Sequence, residues 1–130
     1  MKCRNLEEVR REVETIKDRL EEPIDSKIKD LVIGLRRWGI KTEASCQGHL
    51  LKGLPYPWVD VSWESTKDLA KLVGLRTWVI KPFSTFVRLI PESKGERWNI
   101  FKLLRLQRDT IAFGKFLQDI PDHYFKGESS

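Results

Sequence analysis

Between Ile24 and Trp63 the hydrophobic period changes from that of a helix to that of a strand. A chain with both periods must stack helices on a sheet, because each element has one apolar side to bury. Ile24, Ile28, Leu31, Val32, Leu35 and Trp38 share one side of a helix, and Lys29, Asp30, Arg36 and Arg37 cover the other. The helix is predicted to start at Asp25 or Ser26 as N-cap and to stop at Gly39, a natural residue just past a helix end. Trp58-Val59-Asp60-Val61-Ser62-Trp63 then alternates, with Val59, Val61 and Trp63 facing one way and Asp60 and Ser62 the other.

The flanking segments follow the same logic. Leu6, Val9, Val13, Ile16 and Leu20 form a narrow stripe, which makes residues 1–22 an amphipathic helix ended by Pro23. Two heptads cannot stand alone, so this helix packs on the domain, or protrudes and dimerises with a second copy. Ile40–Cys46 reads as a strand and Leu50–Pro57 as a loop. Ser65-Thr66-Lys67-Asp68 resembles a capping box that opens a short helix to about Val73. Thr77–Lys81 and Phe83–Ile90 are strand candidates separated by Pro82. The last helix spans about Glu96–Asp119. Its apolar residues drift around the axis, so a kink or short break is expected near Gln107–Thr110. Residues 121–130 are expected to be a short tail, polar apart from His123, Tyr124 and Phe125. The expected fold is a single α+β domain over 1–130, a two-layer sandwich of helices on a mixed or antiparallel sheet of three or four strands.

At 130 residues the chain can bury one core. Its longest apolar runs, such as Leu31-Val32-Ile33, are far too short to cross a bilayer. Met1–Glu8 turns acidic before any apolar stretch, unlike a secretory signal, so a cytoplasmic chain with no membrane partner is expected. Two distant cysteines make no disulfide framework. Asn occurs twice and Gln three times among abundant charges, a balance typical of thermophile proteins. Residues 1–65 hold 12 Lys+Arg and 12 Asp+Glu, whereas residues 66–130 hold 12 against 7. All of the net charge of +5 therefore lies in the second half.

Thr42-Glu43-Ala44-Ser45-Cys46-Gln47-Gly48-His49 sets a hydroxyl, a thiol and an imidazole at a strand end, beside a glycine that permits close approach of the backbone. Three chemistries fit this segment. Cys46 and His49 could act as catalytic nucleophile and proton-transfer group, with Glu43 or Asp60 orienting them. The Cys-x-x-His pair could supply two zinc ligands, the others coming from Cys3, His123 or Asp60. Because those donors are scattered, no metal set is assigned from sequence. The backbone N–H groups of Gln47, Gly48 and His49 could instead cradle a phosphate or carboxylate. The bland alternative is a buried Cys46, a turn glycine and a surface histidine.

Trp38-Gly39-Ile40-Lys41-Thr42 followed by Ser45-Cys46-Gln47-Gly48-His49 resembles a group of small, largely uncharacterised prokaryotic proteins with the signature G-[IF]-x-T-x-x-S-C-x-G-H. The resemblance covers about residues 24–64. More distantly, Ser45–Gly48 is similar to the Ser-Cys-x-Gly-Arg segment of the tRNA wybutosine-synthesising methyltransferases, with His49 in place of the arginine. In that family the segment lies near the proposed substrate and S-adenosylmethionine site, so the resemblance implies a functional pocket at this loop and a link to RNA modification.

The expected pocket takes an anionic or nucleotide-like ligand, with Ser45, Cys46, Gln47, Gly48 and His49 as its floor and Tyr56, Trp58 and Asp60 as its wall. No cofactor is specified by the sequence. A second reading is a non-catalytic RNA-binding module. Lys94, Arg97, Arg105, Arg108 and Lys115 fall on one side of the last helix if it is continuous, and can track phosphates. A third is an interaction protein that dimerises through the first helix.

Overall fold

The computed structural model describes residues 1–17, 23–51, 54–74, 78–92 and 99–125. Its elements in chain order are α1 (Leu6–Thr15), α2 (Ser26–Arg37), β1 (Thr42–Cys46), β2 (Trp58–Ser62), a single 3-10 turn (Trp63–Ser65), α3 (Thr66–Val73), β3 (Trp78–Pro82), β4 (Phe86–Pro91) and α4 (Ile100–Asp119). The four strands form one antiparallel sheet in the order β1-β2-β4-β3, so the fold is α+β. No helix among the described residues is long and apolar enough to cross a membrane.

One face of the sheet is apolar and covered. Val59, Val61, Val87 and Leu89 are fully buried with Ile28, Leu31 and Leu35 of α2, Leu69 and Leu72 of α3, and Phe113 and Leu117 of α4. The α2–α4 crossing is close because Gly34 and Gly114 meet there. Strand β1 lies at the sheet edge and contributes nothing to this apolar cluster. Its residues are small or polar, and the ladder shifts register between Thr42 and Ala44, which bulges Glu43 out of the pairing. Arg36 of α2 fastens its start, donating from Nε to Thr42 Oγ1 at 2.6 Å and from Nη2 to the Thr42 carbonyl at 3.0 Å.

Several expectations change. Helix α1 ends at Thr15, and Leu20 and residues 93–98, including Lys94 and Arg97, lie outside the described residues. Val9 and Val13 are buried in the protein's own core, so of the two expected arrangements this part of the stripe takes packing on the domain. Arg37, expected on the outer side of α2, is buried. It donates to the Leu117 carbonyl at 2.8 Å, pairs with Asp122 at 2.7 Å and lies over the Trp38 ring. Trp63 leaves the strand for the 3-10 turn and is 45% exposed. Ser65 makes no cap bond; its hydroxyl accepts from the Lys41 N–H instead. Pro82 ends the edge strand β3 and still pairs with Val87. Helix α4 is unbroken, because its buried stripe runs through polar Lys102, Gln107, Thr110 and Gln118 while Ile100 and Leu104 stay exposed. In the described tail Phe125 is buried edge-on against Trp38 at 5.0 Å.

Candidate functional site

Gly39 turns the chain after α2 with φ 82°, a conformation open to glycine. The twelve residues of α2 rise about 18 Å, and the extended return through Ile40–Cys46 spans a similar length, so the end of β1 comes back to the start of α2. Asp25 and Cys46, far apart in sequence, become neighbours by that geometry.

Here the helix cap is exchanged. Asp25 is the N-cap of α2, yet its side chain makes no cap bond. Gln47 Oε1 accepts from the Lys27 N–H in its place at 3.2 Å, and Asp25 Oδ2 accepts from the Gln47 N–H at 3.2 Å. The Gln47 carbonyl accepts from the Gln107 side-chain amide at 3.0 Å, and Gln107 Oε1 accepts from Lys27 Nζ at 3.1 Å, so α4 clamps the same turn. The Asp25 carboxylate is thereby aimed at the loop. Donor atoms of Asp25, Cys46 and His49 all lie within 4.8 Å of one another.

Gly48 is buried with φ 92°, and its N–H donates to Cys46 Sγ at 3.4 Å. A Cβ there would sit 2.8 Å from both the Tyr56 carbonyl carbon and Leu103 Cδ1. The His49 N–H donates to the Leu54 carbonyl at 2.9 Å. All three N–H groups expected to cradle an anion are thus engaged by the protein's own acceptors, which overturns the backbone nest. Burial pushes the Cys46 thiol up, the Gly48 N–H opposes this, and the Asp25 charge adds to the rise. Both burial and the Asp25 charge thus favour the thiol over the thiolate.

Ser45, Cys46, Gln47 and His49 line a cavity of about 1070 Å³ that also reaches Trp58, Asp60 and Phe86. Cys46 pairs directly with Trp58 across β1 and β2. The expected wall residue Tyr56 and floor residue Gly48 do not line it; the Tyr56 backbone closes over Gly48 instead. Asp60 is held by Arg88 in a two-pronged pair, Nε to Oδ1 at 2.6 Å and Nη2 to Oδ2 at 2.9 Å. The Arg88 guanidinium lies 4.3 Å from the Trp58 ring centre, 5.1 Å from Phe83 and 5.6 Å from Phe86. The sheet face away from the helices therefore carries an aromatic platform clasping one arginine.

Asp60 is committed to Arg88, and the carboxylate beside the thiol is that of Asp25, which sequence reasoning missed. Neither Cys3, His123 nor Asp60 joins the Cys46–His49 pair in its cluster. Arg105, Arg108 and Lys115 are exposed on α4. None of the three lines the cavity. No family model, curated protein or solved structure matches the chain.

Proposed function

We propose that the cavity binds a nucleotide-like ligand in the cytoplasm, its planar base against Trp58 and Phe86 and its polar end toward Cys46 and His49. The observation that carries this reading is the direct pairing of Cys46 with Trp58, which sets reactive groups and an aromatic surface in one cavity of a size that holds small molecules. Because the loop N–H groups are engaged, recognition rests on the base more than on a backbone-bound phosphate. His49, exposed at the loop, is the group available for proton transfer. The likeness of Ser45–Gly48 to the wybutosine-synthesising family supports RNA as the source of the base.

Calorimetric titration with nucleosides, nucleoside monophosphates and short single-stranded RNA tests the proposal. Stacking on one aromatic contributes about 1–3 kcal/mol, so Trp58→Ala should weaken binding roughly 5- to 150-fold. Binding unaffected by that change, or no binding of any of these ligands, refutes the reading. The unbroken helix α4 supports a second one, in which Arg105, Arg108 and Lys115 track RNA phosphates. It requires that Arg105→Glu with Arg108→Glu abolish salt-dependent RNA binding while Trp58→Ala leaves it intact.

A further inference from the structure

We propose that Asp25, Cys46 and His49 form a three-residue binding site for a zinc-like divalent transition-metal ion, with its remaining coordination position open to the cavity.

The donor set decides the class of ion. One thiolate, one imidazole and one carboxylate suit zinc and its neighbours, and a sulfur ligand disfavours magnesium and calcium. Three protein ligands with a fourth position open is the pattern of reactive zinc sites, whereas structural sites are closed by four. A tetrahedral site with bonds of about 2.0–2.3 Å needs donors roughly 3.3–3.8 Å apart. The present donors lie within 4.8 Å, so a contraction of at most about 1–1.5 Å suffices, within reach of the exposed His49 ring and the Asp25 side chain.

Two independent features of the loop favour a cation. The first is the exchanged cap. A Gln47 amide does the work an N-cap aspartate ordinarily does for its own helix, and the carboxylate so released is held by the Gln47 N–H beside a thiol. That carboxylate lies beside a thiol that can give up its proton to a metal ion, and no ion pair neutralises Asp25 among the described residues. The second is the Gly48 N–H aimed at Cys46 Sγ at 3.4 Å, the kind of outer contact that orients a metal-bound thiolate. On binding, the ion displaces the thiol proton to solvent and supplies the positive charge the pair lacks. Its open position takes a water molecule or an anionic oxygen of the cavity's ligand. The inference does not depend on base stacking at Trp58.

The test is a titration of the reduced, metal-free protein with Co²⁺, followed by displacement with Zn²⁺. One equivalent should produce sulfur-to-cobalt charge-transfer absorption with the intense visible bands of a four-coordinate ion, and one equivalent of Zn²⁺ should bleach both. Cys46→Ser should abolish the charge-transfer band. His49→Gln and Asp25→Asn should retain it while weakening Zn²⁺ affinity by more than the roughly 10–100-fold lost when only an orienting partner is removed. Cys3→Ser should leave the titration unchanged, which separates this site from the other thiol; the titration contains no nucleoside or RNA, so its outcome is independent of the base-binding proposal. Far-UV circular dichroism of each metal-free variant establishes that it is folded. Absence of a charge-transfer band in the wild type, its survival in Cys46→Ser, its loss in Cys3→Ser, or unchanged Zn²⁺ affinity in both His49→Gln and Asp25→Asn overturns the proposal.

Discussion

Gly114→Ala puts the α2–α4 crossing to a test in which the sign of the effect decides. In the middle of a helix this substitution ordinarily stabilises by about 1 kcal/mol, because alanine is the better helix former. At Gly114 the new Cβ would lie 2.3 Å from the Asp30 carbonyl carbon and 2.4 Å from the Leu31 nitrogen, where ordinary contact begins near 3.4 Å. Backbone cannot swing aside as a side chain does, so α2 and α4 must part by about 1 Å, a gap that forfeits a quarter to a half of each contact across it. Overpacking of this kind costs about 1–3 kcal/mol, and a backbone clash belongs at the upper end. Set against the helix gain, the net loss is about 2 kcal/mol, or a fall in Tm of roughly 8 °C for a chain of this size. Gly34→Ala sits across the same crossing, its Cβ meeting Leu117 Cβ at 2.7 Å and the Gly114 carbonyl at 2.9 Å. One separation relieves both clashes, so the double variant should lose less than the two single losses together. Thermal and urea denaturation by circular dichroism measure all three. A Gly114→Ala protein as stable as the wild type, or more so, refutes the close crossing and with it the clamp of Gln107 on the loop.

The hydrogen bond from Arg4, aided by Arg36, holds the Glu12 carboxyl at about 2 despite an opposing desolvation. A carboxyl depressed in the folded state contributes stability that is present above the ordinary carboxylate range and lost as pH falls towards 2, so Glu12→Gln should lower stability at neutral pH and flatten the acid limb of urea denaturation. Arg88→Met strands the buried Asp60 carboxylate and should cost about 3 kcal/mol, whereas Asp60→Asn combined with it should recover part of the loss. Gly48→Ala adds a left-handed strain of about 1–2 kcal/mol to a backbone clash at 2.8 Å, so its Tm should fall by several degrees; a change within experimental scatter contradicts the turn described.

Elements governed by local chemistry could be read from the sequence. Helix α2 lies between Asp25 and Gly39 as expected, Gly39 turning the chain with a positive φ, and the alternation in Trp58–Ser62 gives a strand with Val59 and Val61 inward. Reading failed where a polar residue is buried by a distant partner. Arg37 looks solvated by type, but Leu117 and Asp122 across the fold satisfy it. The drift in α4 arises from counting apolar residues alone; Gln107 and Gln118 belong to its buried stripe because they hydrogen-bond to Gln47 and Asp30. Cys46, Gln47 and His49 stood out through their spacing. Asp25 did not, because an aspartate before a helix is fully explained as a cap, and only tertiary structure reveals that it does not act as one.

That exchange explains why an edge strand with no share in the core sits where it does. Thr42–Cys46 could be replaced by any polar strand without emptying the apolar interior, since the neighbours Val59 and Val61 already complete that side of the sheet. What the strand does is deliver Cys46 to the start of α2 and open a cavity between them, while Gln47 takes over the helix cap and frees Asp25. Local rules broken in one place, with the loss made good by a residue from another element, are the pattern expected at functional or strained sites. In this protein that broken rule, the thiol, the imidazole and the aromatic platform all converge on one cavity.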